Sequence, residues 1–257
     1  MSDSMVLRSL ERELLVYRRL FRGSLFTTFG VPILFLAAMG LGLGGLVDER
    51  TGPVDGLDYL TFIAPGVMAA GAMQSAAAES LWPIMAGLKW IGSYKATIST
   101  PVSAADIYAG RVLFTAVRAT VSSTAFLLVA WLFGGVPSPW GLLALPAAVL
   151  CAVAFAAPIT AFTATQDTDI GFPLIIRLGV MPLFLFSGTF FPVDQLPDAL
   201  EPLALASPLW HGVELCRAAT TGEVELLPAV GHVLVLGFFV LIGVLWGTRT
   251  FPRRLTP

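Results

Sequence analysis

Charge is what this sequence has least of. Asp, Glu, Lys and Arg make up only 12% of its 257 residues, against about 25% in soluble domains. That shortage excludes an ordinary water-facing surface and points to a bilayer. The net charge of −2 excludes the basic footprint of a nucleic-acid binder. There are two cysteines, Cys151 and Cys216, too few for a disulfide framework. Cys151 falls in mid-span and Cys216 in a loop, so they are not expected to pair. The two histidines, His211 and His232, have no partner at ligand spacing, so no metal centre is expected. His232 lies on an apolar run and reads as a packed, hydrogen-bonded side chain. No G-x-S-x-G elbow occurs, and Ser207, before Pro208, has no neighbouring base. No catalytic constellation is present, so the chain is not expected to be an enzyme. A G-x-x-x-x-G-K-[ST] phosphate loop is also missing. The stretch Gly40–Gly45, GLGLGG, matches G-x-G-x-x-G, but no strand precedes it and no amphipathic helix follows. Its Gly40 and Gly44 read instead as a G-x-x-x-G packing face, as does the small-residue run Ala69–Ala78.

What the sequence has is apolar length. Hydrophobic residues reach 56% and mean hydropathy is +0.82. A span needs about 20 mostly apolar residues. Six candidates fit, at about 24–46, 59–82, 111–133, 141–164, 171–191 and 228–248, separated by turn-rich breaks such as VDERTGPVDG, GGVPSPW and ATQDTDIG. The first apolar run follows five arginines and lacks a small-residue cleavage pattern, so no cleavable leader is expected. Basic residues set the sidedness. With a cytoplasmic N-terminus, the inner segments hold Arg8, Arg12, Arg18, Arg19, Arg22, Lys89, Lys95, Arg249, Arg253 and Arg254. The outer segments hold only Arg50 and Arg217, and Arg111, Arg118 and Arg177 lie within spans or at their start. Both termini are therefore expected in the cytoplasm, with the chain threading the cell membrane six times.

Residues 5–22, MVLRSLERELLVYRRLFR, form an amphipathic helix pattern. Leu7, Leu10, Leu14 and Tyr17 recur at helical spacing, as do Val6, Leu10 and Glu13 less cleanly, with arginines over much of the rest. A helix lying in the headgroup plane fits this pattern. Charges inside a bilayer are costly and are functional candidates by default. Glu79, just beyond Gln74 and Ser75, Arg118 and Arg177 fall at similar depth. Glu79 is expected to pair with Arg118 or Arg177 across helices. These groups either form a structural pair or border a polar cavity. The inner loop, 83–107, shows helical signals over Ile84–Tyr94 and then a Pro break. Ser103 is placed to cap the next helix. Lys89, Trp90, Tyr94 and Lys95 offer aromatic and basic contacts, either to a cytoplasmic partner or to the membrane interface.

The segment Phe190–Arg217 carries Pro192, Pro197, Pro202 and Pro208, scattered acids and many large apolar residues. It is too apolar for a solvated loop and too broken for a span. Three stretches together resemble the type-2 ABC exporter permeases, nearest the branch of nodulation-factor (lipo-oligosaccharide) and daunorubicin-type drug exporters. They are LDYLTFIAPGVMAAGAM, YKATISTPVSAADIYAGR and FSGTFFPVDQLPDALEPLALASPLWHGVELCRA. The last matches that family's S-G-x-x-[FY]-P region, followed by L-P, P-L and Arg217. The resemblance covers nearly the whole chain.

The resemblance implies an all-α membrane protein of six transmembrane helices. It also implies an N-terminal interfacial helix, a permease dimer, and re-entrant helices between spans 5 and 6 that form an outer lid over 188–227. Non-helical backbone at membrane depth needs shielding by protein. Phe190, Phe191, Leu196, Leu200, Leu203, Leu205 and Trp210 are then expected to bury. Pro192, Pro197, Pro202 and Pro208 break the segment into short helices, and Asp194, Asp198 and Glu201 face water. The implied function is ATP-driven export of an amphipathic drug, lipid or lipo-oligosaccharide. Drug efflux and antibiotic resistance belong to the drug branch. No cofactor is expected on this chain; ATP and Mg belong to a separate cytoplasmic ATPase subunit docked near Ile84–Tyr94. The other partners are a second permease chain, identical or paralogous, and the lipid bilayer. A self-sufficient carrier or channel is the alternative. Pro65-Gly66, Pro158 and Pro182 interrupt spans as a carrier's would, but no half-to-half repeat accompanies them.

Overall fold

The computed structural model describes the backbone of residues 3–255, and the side chains in that range except those of residues 3, 4, 20–28, 41 and 51. Among the described residues the chain is helical, and its only extended pairing is an isolated bridge between Val54 and Leu57. Five stretches are long and apolar enough to cross a bilayer: Phe29–Arg50, Tyr59–Trp90, Ala104–Leu132, Pro139–Thr163 and Leu226–Leu255. A shorter apolar stretch, Phe172–Phe186, stands where the fifth of the six expected spans belongs. At 1.5 Å per residue it reaches only about 22 Å, short of a bilayer's hydrocarbon of about 30 Å. The helix stops because Ser187 leaves helical geometry and Gly188 takes φ +75°, a conformation that suits glycine.

The first helix, α1 (Asp3–Leu36), joins the expected interfacial segment and the first span without a break. It runs on as a π-helical stretch, Ala37–Gly44, and then α2 (Gly45–Thr51). Of the two periodic sets on α1, the structure turns inward the less regular one, with Val6 and Glu13. Leu7 is 58% exposed and Leu15 and Val16 also face out, while Val6 and Ser9 are buried and Glu13 is half-buried. The reason lies across the contact. Gly110 has no side chain, so Ser9 fills the gap; a Cβ there would lie 2.6 Å from its Oγ. Polar Ser9 therefore turns inward, and Leu7 is left for lipid.

Helix α3 (Tyr59–Met85) is the hub, rich in alanine and buried along most of its length. Gly40 of the π-helical stretch lies against Leu60, and Gly44 against Tyr59, so the glycine run serves packing. The expected single helix over Ile84–Tyr94 is instead split. A π-helical turn, Ala86–Trp90, extends α3, Gly92 turns the chain at φ +67°, and α4 (Ser93–Ile98) folds back. Gly87 makes the fold-back possible, because a Cβ there would lie 2.4 Å from the Tyr94 ring.

Helix α5 (Ala104–Leu132) opens on a full capping box: Ser103 accepts from the Asp106 N–H, and Asp106 accepts from the Ser103 N–H. A 3-10 turn over Pro139–Leu143 leads into α6 (Ala144–Thr163). The short fifth stretch is α7 (Phe172–Leu174), a π-helical turn Ile175–Val180, and α8 (Met181–Phe186). Then come a 3-10 turn at Val193–Gln195, α9 (Glu201–Leu205), α10 (Pro208–Thr221) and α11 (Leu226–Leu255).

Helices α5, α6 and α11 meet at Tyr108. Its hydroxyl donates toward the carbonyls of Ala157 at 3.0 Å and Gly243 at 2.8 Å. Gly243 lies against the backbone of Ala157 and Pro158, and Gly247 lies under the Tyr108 ring. Close backbone approach of this kind is how spans bind one another when lipid offers no hydrophobic drive. Tyr108→Phe is expected to cost about 1 kcal/mol, since hydrogen bonds between spans are worth roughly that. A drop of a few degrees in the detergent melting midpoint would register it. No drop would mean that the hydroxyl is idle.

Candidate functional site

A chain of charges ties α1 to the hub. Arg118 on α5 pairs with Glu79 of α3 at 3.2 Å. Arg111, one further turn or two along α5, reaches the Glu79 carboxylate at 3.8 Å and donates to the Glu79 carbonyl at 3.1 Å. Its other terminal nitrogen meets Glu13 of α1 at 2.7 Å. Aromatic faces complete the shell: Tyr17 lies 4.6 Å from the Arg118 guanidinium and Phe114 lies 5.2 Å from that of Arg111. Arg12 also reaches Glu13, at 3.2 Å, so two acids face three guanidinium groups, of which Arg111 is buried and Arg118 and Arg12 are partly exposed. Arg177 stands apart on the fifth stretch, exposed, with no ion pair among the described residues. Glu13 and Arg111 escape a reading of spans alone, because each falls at or beyond the end of one. Gly110 beside Arg111 is the signal that marks the contact.

Above this chain, a cleft of about 350 Å³ opens between α1, α3, α5 and α8. Gln74 and Ser75 of α3 and Arg118, Ser122 and Ser123 of α5 line it, together with Phe35, Phe126 and Phe184. The Ser123 hydroxyl is buried without a partner. The cleft therefore offers polar groups together with aromatic ones. Glu79 does not line it but holds the arginine that does.

The lid segment starts beside this cleft. Phe190 stacks edge-on to Phe184 at 5.0 Å and lies 6.4 Å from Phe35. The Thr189 backbone rests on Gly66 of α3, where a Cβ would lie 2.8 Å from the Thr189 carbonyl oxygen. Gly66 sits seven residues into α3, so the segment dips about 10 Å along that helix. Pro192 is buried, Pro202 sits in the first turn of α9, and Pro208 opens α10 after the Ser207 cap, the placements proline tolerates. Phe191, Val193, Leu196, Ala204 and Trp210 form a small core of their own. Pro197, Asp194 and Asp198 are exposed and Glu201 is half-buried. Leu200, Leu203 and Leu205, expected to bury, instead face outward, Leu203 at 68%. Helix α9 is a single short turn-and-a-half that the Val193–Leu196 core covers on one face only.

Two links close the segment. The Ser187 and Ser207 hydroxyls bond at 3.0 Å. Arg217 of α10 donates to the Gly188 carbonyl at 2.6 Å, pairs with Glu214, and stacks over Phe62 at 4.0 Å. Cys216, expected in a loop, is buried on α10 because Gly212 lets that helix close on Cys151; both thiols are free. His232 is packed and hydrogen-bonded, as expected, and its partner is His211: the two Nδ1 atoms are 2.7 Å apart, with the Trp210 ring 4.8 and 5.0 Å from the two imidazoles. No group of three or more metal-ligating side chains occurs among the described residues.

At the end of the bundle near the termini, Asp167 gathers Lys89 at 3.1 Å and Arg254 at 2.8 Å. The Arg254 and Lys89 hydrogen bonds hold its carboxyl below the ordinary carboxylate range. Lys89 is thus committed to the loop between the fourth and fifth stretches. Tyr94 is only 2% exposed and packs on Tyr108's neighbour Phe251, so it has no surface to dock with. Trp90 at 57%, Ile91 at 76% and Lys95 are exposed there.

The ABC-2 type transporter family model matches residues 6–221. A nodulation protein J of Sinorhizobium fredii is 32% identical over 91% of this chain and 90% of its own length. A second, from Rhizobium leguminosarum bv. viciae, is 29% identical over 95% and 92%. A capsule polysaccharide export inner-membrane protein of Haemophilus influenzae is 27% identical over 65% of each chain. The cleft and the first four spanning helices lie within the matched residues, the last helix follows them, and the chain belongs to the ABC-2 type transporter family as a multi-pass membrane permease.

Proposed function

We propose that this chain is the permease subunit of an ATP-driven exporter whose cargo is amphipathic and bears a saccharide. The cleft between α1, α3, α5 and α8 carries this reading, because it brings hydroxyl, amide and guanidinium groups together with phenylalanine rings. An acyl or prenyl chain suits the rings, and sugar hydroxyls suit the polar groups. The name of the Haemophilus influenzae relative, a capsule polysaccharide export protein, agrees with a saccharide. The relatives' names lend nothing to drug efflux or antibiotic resistance.

The lid segment covers the outer end of the path, with both termini in the cytoplasm, in keeping with the excess of Lys and Arg at the terminal end. A second permease chain completes the path. ATP and Mg belong to a separate ATPase, which docks on the terminal end at Trp90, Ile91 and Lys95, the exposed part of the inner turn. Lys89 holds the turn to Asp167 and Tyr94 supports it from beneath.

The test is a mild-detergent pull-down of the tagged chain from its native membrane. An ATPase subunit with vanadate-sensitive activity is expected to co-purify. Trp90→Ala/Ile91→Ala/Lys95→Ala together are expected to cut its recovery at least tenfold, since buried aromatic anchors dominate interfaces. A chain that elutes alone, stable and without ATPase activity, would favour a self-sufficient carrier or channel.

A further inference from the structure

The histidine pair takes no part in the reading above, yet it sits at the root of the lid. His211 belongs to α10, His232 to α11, and Trp210 packs on both rings. The same Trp210 reaches Gly188, with its ring 3.3 Å from where a Cβ would stand, and packs with Val193 and Leu196. Arg217, on the same helix, holds the Gly188 carbonyl. One rigid stack thus runs from the two imidazoles to the hinge where the fifth stretch becomes the lid.

The contact between the rings admits one proton and not two. A neutral imidazole offers one donor and one acceptor nitrogen. The two Nδ1 atoms at 2.7 Å require one to donate and the other to accept. His211 also has a backbone hydrogen bond with Leu205; with its other nitrogen as that donor, Nδ1 is left to accept from His232. A first proton, taken by His232 on its far nitrogen, leaves that bond intact. A second must land on His211 Nδ1 and set N–H against N–H between two cations.

Few other charges face the pair. On α10 there is Glu214, which acts on His232 and is itself held by Arg217. Helix α9 carries one acid, Glu201, α6 carries no charged residue, and α11 carries none besides His232 until Arg249. Burial and the neighbouring His232 hold the His211 imidazole down, at about 4. The sign follows from linkage. A histidine freed by opening takes a proton near 6.5, and the closed one refuses it until about 4. The closed pair is therefore favoured above 6.5 and progressively lost as pH falls through that window.

We propose that His211 and His232 form a proton-operated latch on the lid, closed when they share one proton and opened when acid on the lid side supplies the second. This rests on the lid facing the outer compartment. The permease reading is tested separately by the pull-down, because the experiment below uses neither ATPase nor cargo.

The experiment places a nitroxide on Gln195→Cys, at the exposed tip of the lid, in the full chain in lipid nanodiscs. Cys151 and Cys216 are wholly buried and do not compete for label. Label mobility is expected to rise at least twofold, reversibly, between pH 7.5 and 4.5, with a midpoint below 6.5. Trp210 emission, taken as the difference between wild type and Trp210→Phe, is expected to fall over the same range, because a protonated imidazole quenches a stacked indole. His211→Asn/His232→Asn is expected to flatten both curves. A flat wild-type label curve would overturn the latch, even if Trp210 emission changes. So would a response that survives in the double variant, which would assign it to Glu214 or the lid acids. Immobilisation of the label by zinc ion alone at pH 7.5 would also overturn it, in favour of a metal site.

Discussion

Replacing Glu79 with alanine is expected to destabilise the protein by about 2 kcal/mol, below the loss found when a fully buried pair is broken, because Arg111 is buried while Glu79 and Arg118 keep partial access to water. Glu79 is the shared acid of Arg118 and Arg111. Without it, Arg118 keeps only the Tyr17 ring, and Arg111 keeps Glu13 and the residue 79 carbonyl. An uncompensated guanidinium at membrane depth draws in water or snorkels away, and either motion loosens α5 from α3. The yield of monodisperse protein in detergent should fall several-fold and the melting midpoint with it. Restoring neutrality should reverse most of the loss. Glu79→Gln/Arg118→Met is expected to be markedly more stable than Glu79→Gln alone, a positive coupling in a double-mutant cycle. Additive losses would mean that the pair at 3.2 Å contributes nothing, and that the cluster is held by Arg111 and Glu13.

The second large effect is expected at Gly66. The lid's Thr189 lies so close that a Cβ would meet its carbonyl oxygen at 2.8 Å and its Cα at 3.0 Å. Both are backbone atoms, so no side-chain rotation relieves the contact, and Gly66→Val must push Thr189 off α3. The displacement strains the Arg217 to Gly188 bond and the Ser187 to Ser207 bond, which lie on either side of the seat. The core should survive, since α3 stays helical and its other contacts are untouched. With Leu196→Cys, buried in the lid's own core, as reporter, labelling by a membrane-impermeant maleimide on intact cells should speed at least fivefold in Gly66→Val, and less in Gly66→Ala. Unchanged labelling would show that the lid does not depend on this seat.

Much of the architecture was legible in the residues. A shortage of charge and six apolar runs suffice to call a membrane bundle, because lipid leaves helices as the only open-chain solution for the backbone. Proline placement likewise foretold the broken helices of the lid, since proline removes a donor and blocks the preceding turn. The Ser103 cap and the pairing of Glu79 with Arg118 also followed from local chemistry and depth. Pairing of Glu79 with Arg177 was an equal candidate on depth alone, and only the rotation of the fifth stretch sends Arg177 outward.

What the sequence by itself determined, then, is that the chain is a helical membrane bundle and that its proline-rich segment before the last helix is broken. Those outcomes depend on local transfer energies and backbone freedom. Which side of each helix turns inward was decided by the tertiary structure. Ser9 is buried while Leu7 faces out because Gly110 leaves room across the contact. Tyr94 enters the core because Gly87 does the same. Leu203 faces out because one turn of helix cannot cover itself, and His211 finds His232 because α10 rises beside α11. Inside lipid, apolar character no longer distinguishes a buried face from an exposed one. Shape does, and the gaps left by glycine are visible only once the neighbouring helix is in place.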